Sequence, residues 1–454
     1  MKSLAGLVSL VLWFATGWAQ YRFGTVCSTS SPFATLPNNG HKLAYRSEML
    51  SPERDTVTLV FQSNDSIYLT VSGNGATTPW RAPVGLYPGA DPAITWGRNN
   101  QRQLVWQMLD TVSGRLNIFY RNLEYRMQPI NVSGGSQDGF HPDVFGDSLG
   151  VAHIVWEENE GSGRRVYYRK ADVNGVIGAR FAVASQLTRG WAQPAIEGFG
   201  DTIAVIWAQF DSTQNPPYKI MRRCQVRGVW QAEEVLAQSS ELLNQPALDF
   251  GTAAGEGFSG CWQRVVSGNS EVQFYNGNGG GYATSGVSTA PVLSTIGTVW
   301  SYLFWQEDSA GVNDIYTHFY YFMTGWTRGS IRQFFPISEP VFAPSCLGAL
   351  AVWIQGDTIP YRLMWGFFDY PIANQEGATS SAKIKFPKIQ FVRNLLFLPA
   401  VENNERRTNH LTLTDLTGRK VLSLKSGTND VSGLGTGVYF VKGGSELRRV
   451  IILR

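Results

Sequence analysis

The chain has 454 residues, a formal net charge of +3, only 16% charged residues and 13% aromatic residues, with 48 glycines. A nearly neutral chain without a basic block disfavours a nucleic-acid partner. Few charges together with many glycines and aromatic residues are typical of an all-β chain with many tight turns. Beyond the N-terminal segment, no stretch reaches the roughly 18 apolar residues that a membrane helix needs, so no transmembrane segment is predicted.

The first residues have the layout of a secretory signal peptide. Lys2 supplies a positive charge, "LAGLVSLVLWFA" an apolar core, and "GWA" small residues before Gln20. We therefore predict that residues 1–19 are a signal peptide. No cysteine follows the predicted cleavage site, which disfavours a lipid anchor. The mature protein is expected outside the cytoplasm.

A short apolar run that closes on tryptophan returns along the chain, as in "QLVWQ", "HIVWE" and "AVIWA". A proline precedes each tryptophan by 13 to 16 residues, and the prolines recur every 45 to 52 residues. The six pairs are Pro92 and Trp106, Pro142 and Trp156, Pro194 and Trp207, Pro246 and Trp262, Pro291 and Trp305, and Pro340 and Trp353. An eroded seventh copy lies at the front, with Phe61 in the tryptophan position.

Four short strands in each period of about 50 residues predict the blades of a β-propeller. The first strand of each copy would line the central channel, and the second would be buried between blades. The large indole would then fill the wedge between neighbouring blades. We predict an all-β fold, with a propeller of about seven blades over residues 20–372. Residues 20–40 are a candidate closing strand, because the last copy lacks an outer strand and an unpaired edge is a liability.

Four cysteines are present in the predicted mature chain, namely Cys27, Cys224, Cys261 and Cys346. Export would permit disulfides, and four cysteines allow three pairings. The closing strand would place Cys27 in the blade that holds Cys346, so this pair is the predicted disulfide. The alternative is four buried thiols acting as small apolar residues. The cysteine and histidine spacings match no metal site, and no cofactor is predicted.

The repeat ends at a Ser-, Thr-, Gly- and Ala-rich stretch, which predicts a linker over residues 373–390. Residues 391–454 alternate strands and turns, which predicts a small β-sandwich. Two motifs in this module are "DLTGRK" at Asp415–Lys420 and "GVYFVK" at Gly437–Lys442, and a final strand ends at Arg454.

With these motifs the module resembles the C-terminal sorting domain of type IX (Por) secretion. Members of this family usually open with an Asn-Pro turn, and this chain departs from the pattern, since Pro399 follows Leu398. The resemblance implies that the tail is an address read by the type IX machinery, on a protein at the outer-membrane surface of a Gram-negative-type bacterium or secreted from it. The residues that carry the match are Asp415, Gly418, Arg419, Gly437, Tyr439 and Lys442.

Polar residues flank the landmarks of the repeat and are predicted to face the propeller end at which the inner strands begin, here called the entrance face. The candidate binding residues precede a proline or follow a tryptophan: Asp91, His141, Gln193, Gln245, Glu339, Gln107, Glu157, Gln263 and Glu307. Amides and carboxylates beside aromatic rings suit a glycan or protein ligand. The alternative is that these are only solvated strand ends.

The propeller layout resembles sialidase-like proteins, but their repeated Ser-x-Asp-x-Gly-x-Thr-Trp turn is missing. No nucleophile elbow or P-loop is present. The leading prediction is therefore a non-catalytic extracellular binding propeller, with no catalytic residue assigned. The alternative is a polysaccharide hydrolase that uses two entrance-face carboxyl groups about 5 to 10 Å apart. Its candidate carboxylates are Asp91, Glu157, Glu158, Glu307, Asp308 and Glu339.

Overall fold

A computed structural model of the chain divides into two compact units, Met1–Pro371 and Ile372–Arg454. In the first unit it describes residues 23–37, 40–46, 56–73, 79–97, 101–125, 128–250, 257–275, 280–282, 286–296, 300–309, 311–321, 325–331 and 337–368. In the second it describes residues 390–392, 395–398, 411–414, 419–424, 427–431, 433–434, 437–443 and 446–452. The predicted signal peptide and all but the last residue of the predicted linker lie outside these ranges.

The first unit is a seven-bladed β-propeller, which confirms the predicted fold class. The strands of blades one to three are β2 (Leu43–Arg46), β3 (Thr56–Ser63), β4 (Ser66–Gly73) and β5 (Val84–Pro88); β6 (Ala90–Gly97), β7 (Gln101–Asp110), β8 (Arg115–Asn122) and β9 (Ile130–Asn131); and β10 (Gly139–Gly146), β11 (Ala152–Glu160), β12 (Gly163–Ala171) and β13 (Phe181–Ala182). Each blade is a four-stranded antiparallel sheet in chain order from the centre outward.

Blades four to six repeat this order. Their strands are β14 (Ala195–Phe199), β15 (Thr202–Phe210), β16 (Tyr218–Val226) and β17 (Val229–Ser239); β18 (Leu243–Phe250), β19 (Phe258–Val266), β20 (Asn269–Tyr275) and β21 (Gly280–Tyr282); and β22 (Val287–Ile296), β23 (Trp300–Ser309), β24 (Val312–Tyr321) and β25 (Gly325–Ser330). No helix among the described residues is long and apolar enough to cross a membrane.

The seventh blade is assembled from both ends of the unit. Its inner strands are β26 (Val341–Leu347), β27 (Leu350–Gln355) and β28 (Tyr361–Phe367), and its outer strand is β1 (Phe23–Thr29). β1 pairs antiparallel with β28, from Phe23 opposite Gly366 to Thr29 opposite Tyr361. The inner strands contact one another around the whole ring, including β26 with β2. The N-terminal segment therefore closes the ring and covers the edge of β28.

The tryptophans fill the spaces between blades, as predicted. Trp106, Trp156 and Trp353 are fully buried, and Phe61 in the eroded copy is 1% exposed. Trp207 packs with Val155 and Tyr168 of the preceding blade. Apolar second strands and these aromatic rings form at least one hydrophobic cluster at each junction between blades, so the core is distributed around the ring.

In blades two to six the repeat proline lies beside a distortion of an inner strand, and in blade seven Pro344 does. The pairing shifts by one residue between Ala90 and Ala93, and likewise in blades three, five, six and seven. The residue before the proline has a left-handed backbone with φ between 46° and 51°, as the following six residues show: Asp91, His141, Gln193, Gln245, Ala290 and Ala343. Proline is tolerated at such bulges because it has no N–H to pair.

The strand pairing in blade seven shows that one predicted site residue, Glu339, lies outside the ring of bulge residues. In blade seven the left-handed residue is Ala343, followed by Pro344, and not Glu339 before Pro340. Glu339 lies outside the bulge, where its carboxylate forms an ion pair with Arg362 and accepts a hydrogen bond from Gln355 at 3.0 Å. It therefore belongs to the side of blade seven and not to the ring of bulge residues.

The predicted Cys27–Cys346 disulfide is wrong, since all four cysteines are free. Both residues do lie in blade seven, but Cys27 is in the outer strand β1 and Cys346 in the inner strand β26. Two further strands separate them. Strands pair about 4.8 Å apart, so their Cα atoms lie far beyond the roughly 7 Å that a disulfide can bridge. Burial raises the pKa of both thiols.

The second unit contains a five-stranded and a two-stranded sheet. Its strands are β29 (Gln390–Val392), β30 (Leu395–Leu398), β31 (Leu411–Thr414), β32 (Lys420–Leu424), β33 (Gly427–Asp430), β34 (Gly437–Gly443) and β35 (Glu446–Ile452). Leu413, Leu424 and Val431 form its core, against which Tyr439 packs. The motif residues lie as follows: Gly437 and Lys442 in β34, Arg419 exposed before β32, and Asp415 and Gly418 outside the described residues.

Candidate functional site

A cavity of about 340 Å³ lies at the entrance face of the propeller. Four of the bulge residues predicted as binding residues line it, from blades two to five: Asp91, His141, Gln193 and Gln245. The remaining wall residues are Gln62 of blade one and four residues of the segment between β1 and β2: Ser31, Phe33, Leu36 and Pro37. The volume is within the range of small-ligand sites, about 300 to 1,000 Å³.

The left-handed backbone is held by hydrogen bonds between neighbouring blades. The N–H of Asp91 donates to Gln62 Oε1 at 3.3 Å, and the N–H of Gln245 donates to Gln193 Oε1 at 3.0 Å. Gln245 Oε1 in turn accepts from Ala290 at 2.7 Å, and Gln306 Oε1 accepts from the bulge of blade seven at 3.1 Å. Blades one, four, five and six thus each satisfy a backbone donor of the next blade with a side-chain oxygen.

In blade three this acceptor is a carboxylate, Glu157, which also orients a histidine. Glu157 is fully buried and accepts from the backbone N–H groups of Ala192 at 2.8 Å and Gln193 at 3.3 Å. His141 Nδ1 lies 2.5 Å from Glu157 Oε1. Because a carboxylate with two N–H donors acts as an acceptor, Nδ1 carries a proton and donates to it. This contact fixes the imidazole in the wall of the cavity.

The residues that follow the tryptophans do not face the cavity, with the exception of Gln62 after Phe61. Gln107, Gln263 and Glu307 are buried, as is Glu157. Gln263 Nε2 donates to Ser270 at 2.6 Å and to the carbonyl of Ser288 at 3.0 Å. Glu307 accepts a hydrogen bond from Trp305 at 3.3 Å. These side chains therefore support the blades from within.

A cluster of ionisable side chains that sequence reasoning missed lies in the central channel. His41, just before β2, contacts Asp143 of blade three through Nδ1 at 2.9 Å and Glu197 of blade four through Nε2 at 3.5 Å. Asp143 is fully buried and also accepts from the backbone N–H groups of His41 and Ile196, at 3.1 and 2.9 Å. Since these residues belong to three different blades, the cluster bridges the channel.

The channel environment shifts the protonation of these groups. Burial would lower the pKa of His41, but the charge and hydrogen bond of Asp143 outweigh it and raise this pKa to about 10. Burial raises the pKa of Glu197 to about 8, against the opposing charge of His41, and also raises the pKa of Asp249. Burial lowers the pKa of Lys42 to about 8, and its ammonium donates to the carbonyl of Pro92 at 2.6 Å.

The sequence did carry a signal for this cluster. Asp143 directly follows the repeat proline in "HPDVF", and Glu197 and Asp249 close the motifs "QPAIE" and "QPALD". A charged residue in an otherwise apolar inner strand is a reason to expect a polar partner across the channel. The contribution of residues 31–37 had no comparable signal. In the described part of the chain, no group of three His, Cys, Asp or Glu side chains is placed to hold a metal ion.

The hydrolase alternative needs two of its carboxylates at one cavity, and only Asp91 lines it. Burial raises the pKa of Asp91, against the opposing charges of His141 and Lys42. Glu158 is buried and paired with Arg180 at 2.8 Å. Fold and cavity together define the class: a seven-bladed β-propeller, closed by its N-terminal strand, with a polar pocket at the entrance face.

No protein-family model matches the chain, and no curated protein sequence does. Solved structures share its fold. An ulvan lyase described as a new family of polysaccharide lyase, bound to a saccharide of glucuronic acid and sulfated rhamnose, has a TM-score of 0.53 and 10% identity, covering 75% of this chain and 95% of the lyase. A second structure described as this lyase has a TM-score of 0.54 and 9% identity, with the same coverage of both chains. At this identity the likeness is one of fold.

Proposed function

We propose that the propeller is an extracellular glycan-binding protein whose ligand enters the entrance-face pocket. The observation that carries this proposal is that side chains from five consecutive blades converge on one cavity beside an exposed aromatic ring. Phe33 lines the cavity and is 57% exposed. A ring of this kind offers the apolar face of a sugar a surface to stack on, while polar neighbours bind its hydroxyl groups. The polysaccharide lyases with the same fold agree with this ligand class.

The hydrogen bonds between blades define what the pocket offers a ligand. Gln62 and Gln193 each use Oε1 to accept a backbone N–H of the next blade. Their amide NH₂ groups are the donors that point away from this bond, whereas Asp91 supplies an acceptor. Such a mixture of donors and acceptors suits sugar hydroxyl groups, which both donate and accept.

The test combines a glycan array with titration calorimetry on the purified protein. Phe33→Ala should weaken binding of the selected glycan about tenfold, because it removes the stacking surface. Gln193→Glu keeps the acceptor for Gln245 and removes the amide donors, so it should weaken binding without unfolding the blades. Phe199→Ala is the matched control, since Phe199 is 54% exposed at the far end of β14. A protein that binds no glycan, or binds equally well in both pocket variants, contradicts the proposal.

Cleavage of the bound glycan is the second candidate, and His141 is the observation that favours it. A buried carboxylate that holds an imidazole in one orientation is a common arrangement for a general base. Cleavage would then depend on His141 and not on a pair of carboxylates. Reducing-end release that is lost in His141→Gln would support this function. Binding without release by the wild-type protein would exclude it for the glycan tested.

We also propose that the protein is exported and then sorted to the cell surface by the type IX route. The support is the signal-peptide pattern of residues 1–19 and the motifs at Gly418 and Gly437. Deleting residues 391–454 in a host with this secretion system should leave the protein in the periplasm, as measured by fractionation. Surface display of the truncated protein would show that the tail is not a sorting signal.

A further inference from the structure

Beside the pocket, Trp191 forms a half-exposed surface on the connection from blade three to blade four. The indole is 48% exposed. Its edge meets His141 with ring centroids 4.8 Å apart and Phe140 at 5.4 Å. Trp191 also precedes Gln193, a pocket residue, by only two positions. The ring is therefore anchored at the pocket rim while about half of it faces solvent.

One side of this indole is covered by a cation. The guanidinium of Arg164, at the start of β12, lies 3.0 Å from the centroid of Trp191 and 4.7 Å from that of Phe140. Arg164 Nη1 is buried, and no hydrogen-bond partner reaches it among the described residues. The carboxylate of Glu157 is 3.6 Å away, too long for a hydrogen bond, and already accepts from His141 and two backbone groups.

A second cation lies on the same connection. Arg189 is exposed and donates to Ser212 at 2.7 Å. Asp211, an acidic group close to it, is itself occupied by hydrogen bonds from Thr213, at 2.9 Å from the backbone and 2.7 Å from the hydroxyl. The rim of the pocket at blades three and four therefore combines a solvent-facing indole with two arginines.

We propose that Trp191 is the stacking platform of a second glycan subsite beside the pocket, and that this subsite takes an acidic sugar residue. The inference rests on the proposed glycan-binding function and specifies its ligand class. A sugar ring would cover the exposed indole, and its carboxylate or sulfate ester would give Arg164 Nη1 a hydrogen-bond acceptor. It would also add negative charge beside two arginines whose neighbouring carboxylates, Glu157 and Asp211, already accept from other donors. The ligand would then span at least two sugar residues, one in the pocket and one on Trp191.

The experiment compares hexasaccharides of galacturonate, hyaluronan and sulfated carrageenan with their methyl-esterified or desulfated forms, using calorimetry on the purified full chain. Wild-type protein should bind an acidic form about tenfold more tightly than its neutral form, and the preference should shrink as salt increases. Trp191→Ala should weaken binding of the acidic hexasaccharide about tenfold while leaving binding of the matching monosaccharide unchanged. Arg189→Gln should reduce the preference for the acidic form and spare the neutral one.

Two controls separate the possible failures. Trp191→Phe, which keeps an aromatic ring, should recover part of the lost affinity, whereas Phe199→Ala on the opposite face should change nothing. If a hexasaccharide binds through the pocket, as shown by its loss in Phe33→Ala, but Trp191→Ala and charge removal have no effect, the second subsite is refuted and the proposed function stands. If no glycan binds the wild-type protein, both are refuted.

Discussion

Loss of the Asp143 side chain should weaken the propeller strongly, because several buried donors share its carboxylate. Its buried carboxylate accepts from backbone N–H groups of His41, Val144 and Ile196, at 3.1, 2.9 and 2.9 Å, and from the His41 imidazole at 2.9 Å. Asp143→Ala would leave these donors without an acceptor. An orphaned buried donor costs about 1 to 3 kcal/mol, and removing one partner of a buried ion pair about 3 to 5 kcal/mol.

Because the donors share one carboxylate, these costs do not add, and we expect a total loss of about 3 to 5 kcal/mol in the free energy of unfolding. Guanidinium unfolding followed by tryptophan fluorescence at neutral pH measures it. Asp143→Asn keeps the volume and one oxygen, so its loss should be intermediate. Asp201→Ala is the control, since Asp201 is 76% exposed and 3.9 Å from Arg227. It should change stability by at most about 0.5 kcal/mol. A loss in Asp143→Ala no larger than in this control would refute the reasoning.

Three further predictions concern the channel, the junctions between blades and the closure of the ring. Stability should fall as pH rises from about 5 to 8, because Glu197, with its pKa raised to about 8, holds a proton in the folded state that the unfolded state releases. The pKa of His41, raised to about 10, extends this fall in stability above pH 6.5. His41→Gln should therefore flatten a plot of melting temperature against pH, and an unchanged slope would contradict this prediction. Above pH 8, the lowered pKa of Lys42 acts in the opposite direction. Trp207→Ala should lower the free energy of chemical unfolding by about 3 to 5 kcal/mol, since it leaves a cavity between blades three and four. A loss below about 1 kcal/mol would exclude a role for this tryptophan in filling that space. Deleting Phe23–Thr29 should expose the edge of β28 and cause self-association, visible by light scattering; a stable monomer would show that this edge needs no cover.

The sequence predicted the fold well because packing between blades requires particular residue types at regularly spaced positions. A buried second strand must be apolar, and a wide junction needs a ring, so Trp106, Trp156 and Trp207 recur with a regular period. The same landmarks predicted four side chains of the pocket. Sequence reasoning could not tell that most residues after the tryptophans turn inward, because a polar residue at a strand end looks the same whether it meets water or a buried donor.

Blade seven shows why spacing misplaced Glu339. The distance from Pro340 to Trp353 fits the other repeats, whereas Pro344 is only nine residues from that tryptophan. The structure nevertheless places the bulge at Ala343. Nine residues are enough here because β26 ends at Leu347, soon after Pro344, and β27 begins at Leu350. The inner strand of blade seven is shorter after the bulge than in blades two to six. The proline-to-tryptophan spacing depends on both the position of the bulge and the length of this strand, so spacing alone could not locate the bulge. The Cys27–Cys346 prediction failed for a related reason, since sequence identified the blade but not the positions across it.

The residue types at the bulges connect the scaffold to the pocket. Glycine adopts a left-handed backbone without strain, whereas other residues there cost about 1 kcal/mol or more. Blades two to five nevertheless carry Asp91, His141, Gln193 and Gln245 at this position, and all four line the pocket. At the bulge of blade seven stands Ala343, whose carbonyl accepts from Thr35 of the segment that crosses this side of the mouth.

A larger side chain than alanine at that bulge would collide with the crossing segment, which packs in the same cluster. The segment therefore closes one side of the mouth, and the polar bulge residues face the side that stays open. Ala290 and Ala343 have the same left-handed backbone, so the polar side chains and not the strain itself distinguish blades two to five. Polar side chains held in this strained conformation are best explained by a need for those side chains. The half of the ring formed by blades two to five is accordingly where a ligand is expected, and Trp191 at the junction of blades three and four lies at the middle of that half.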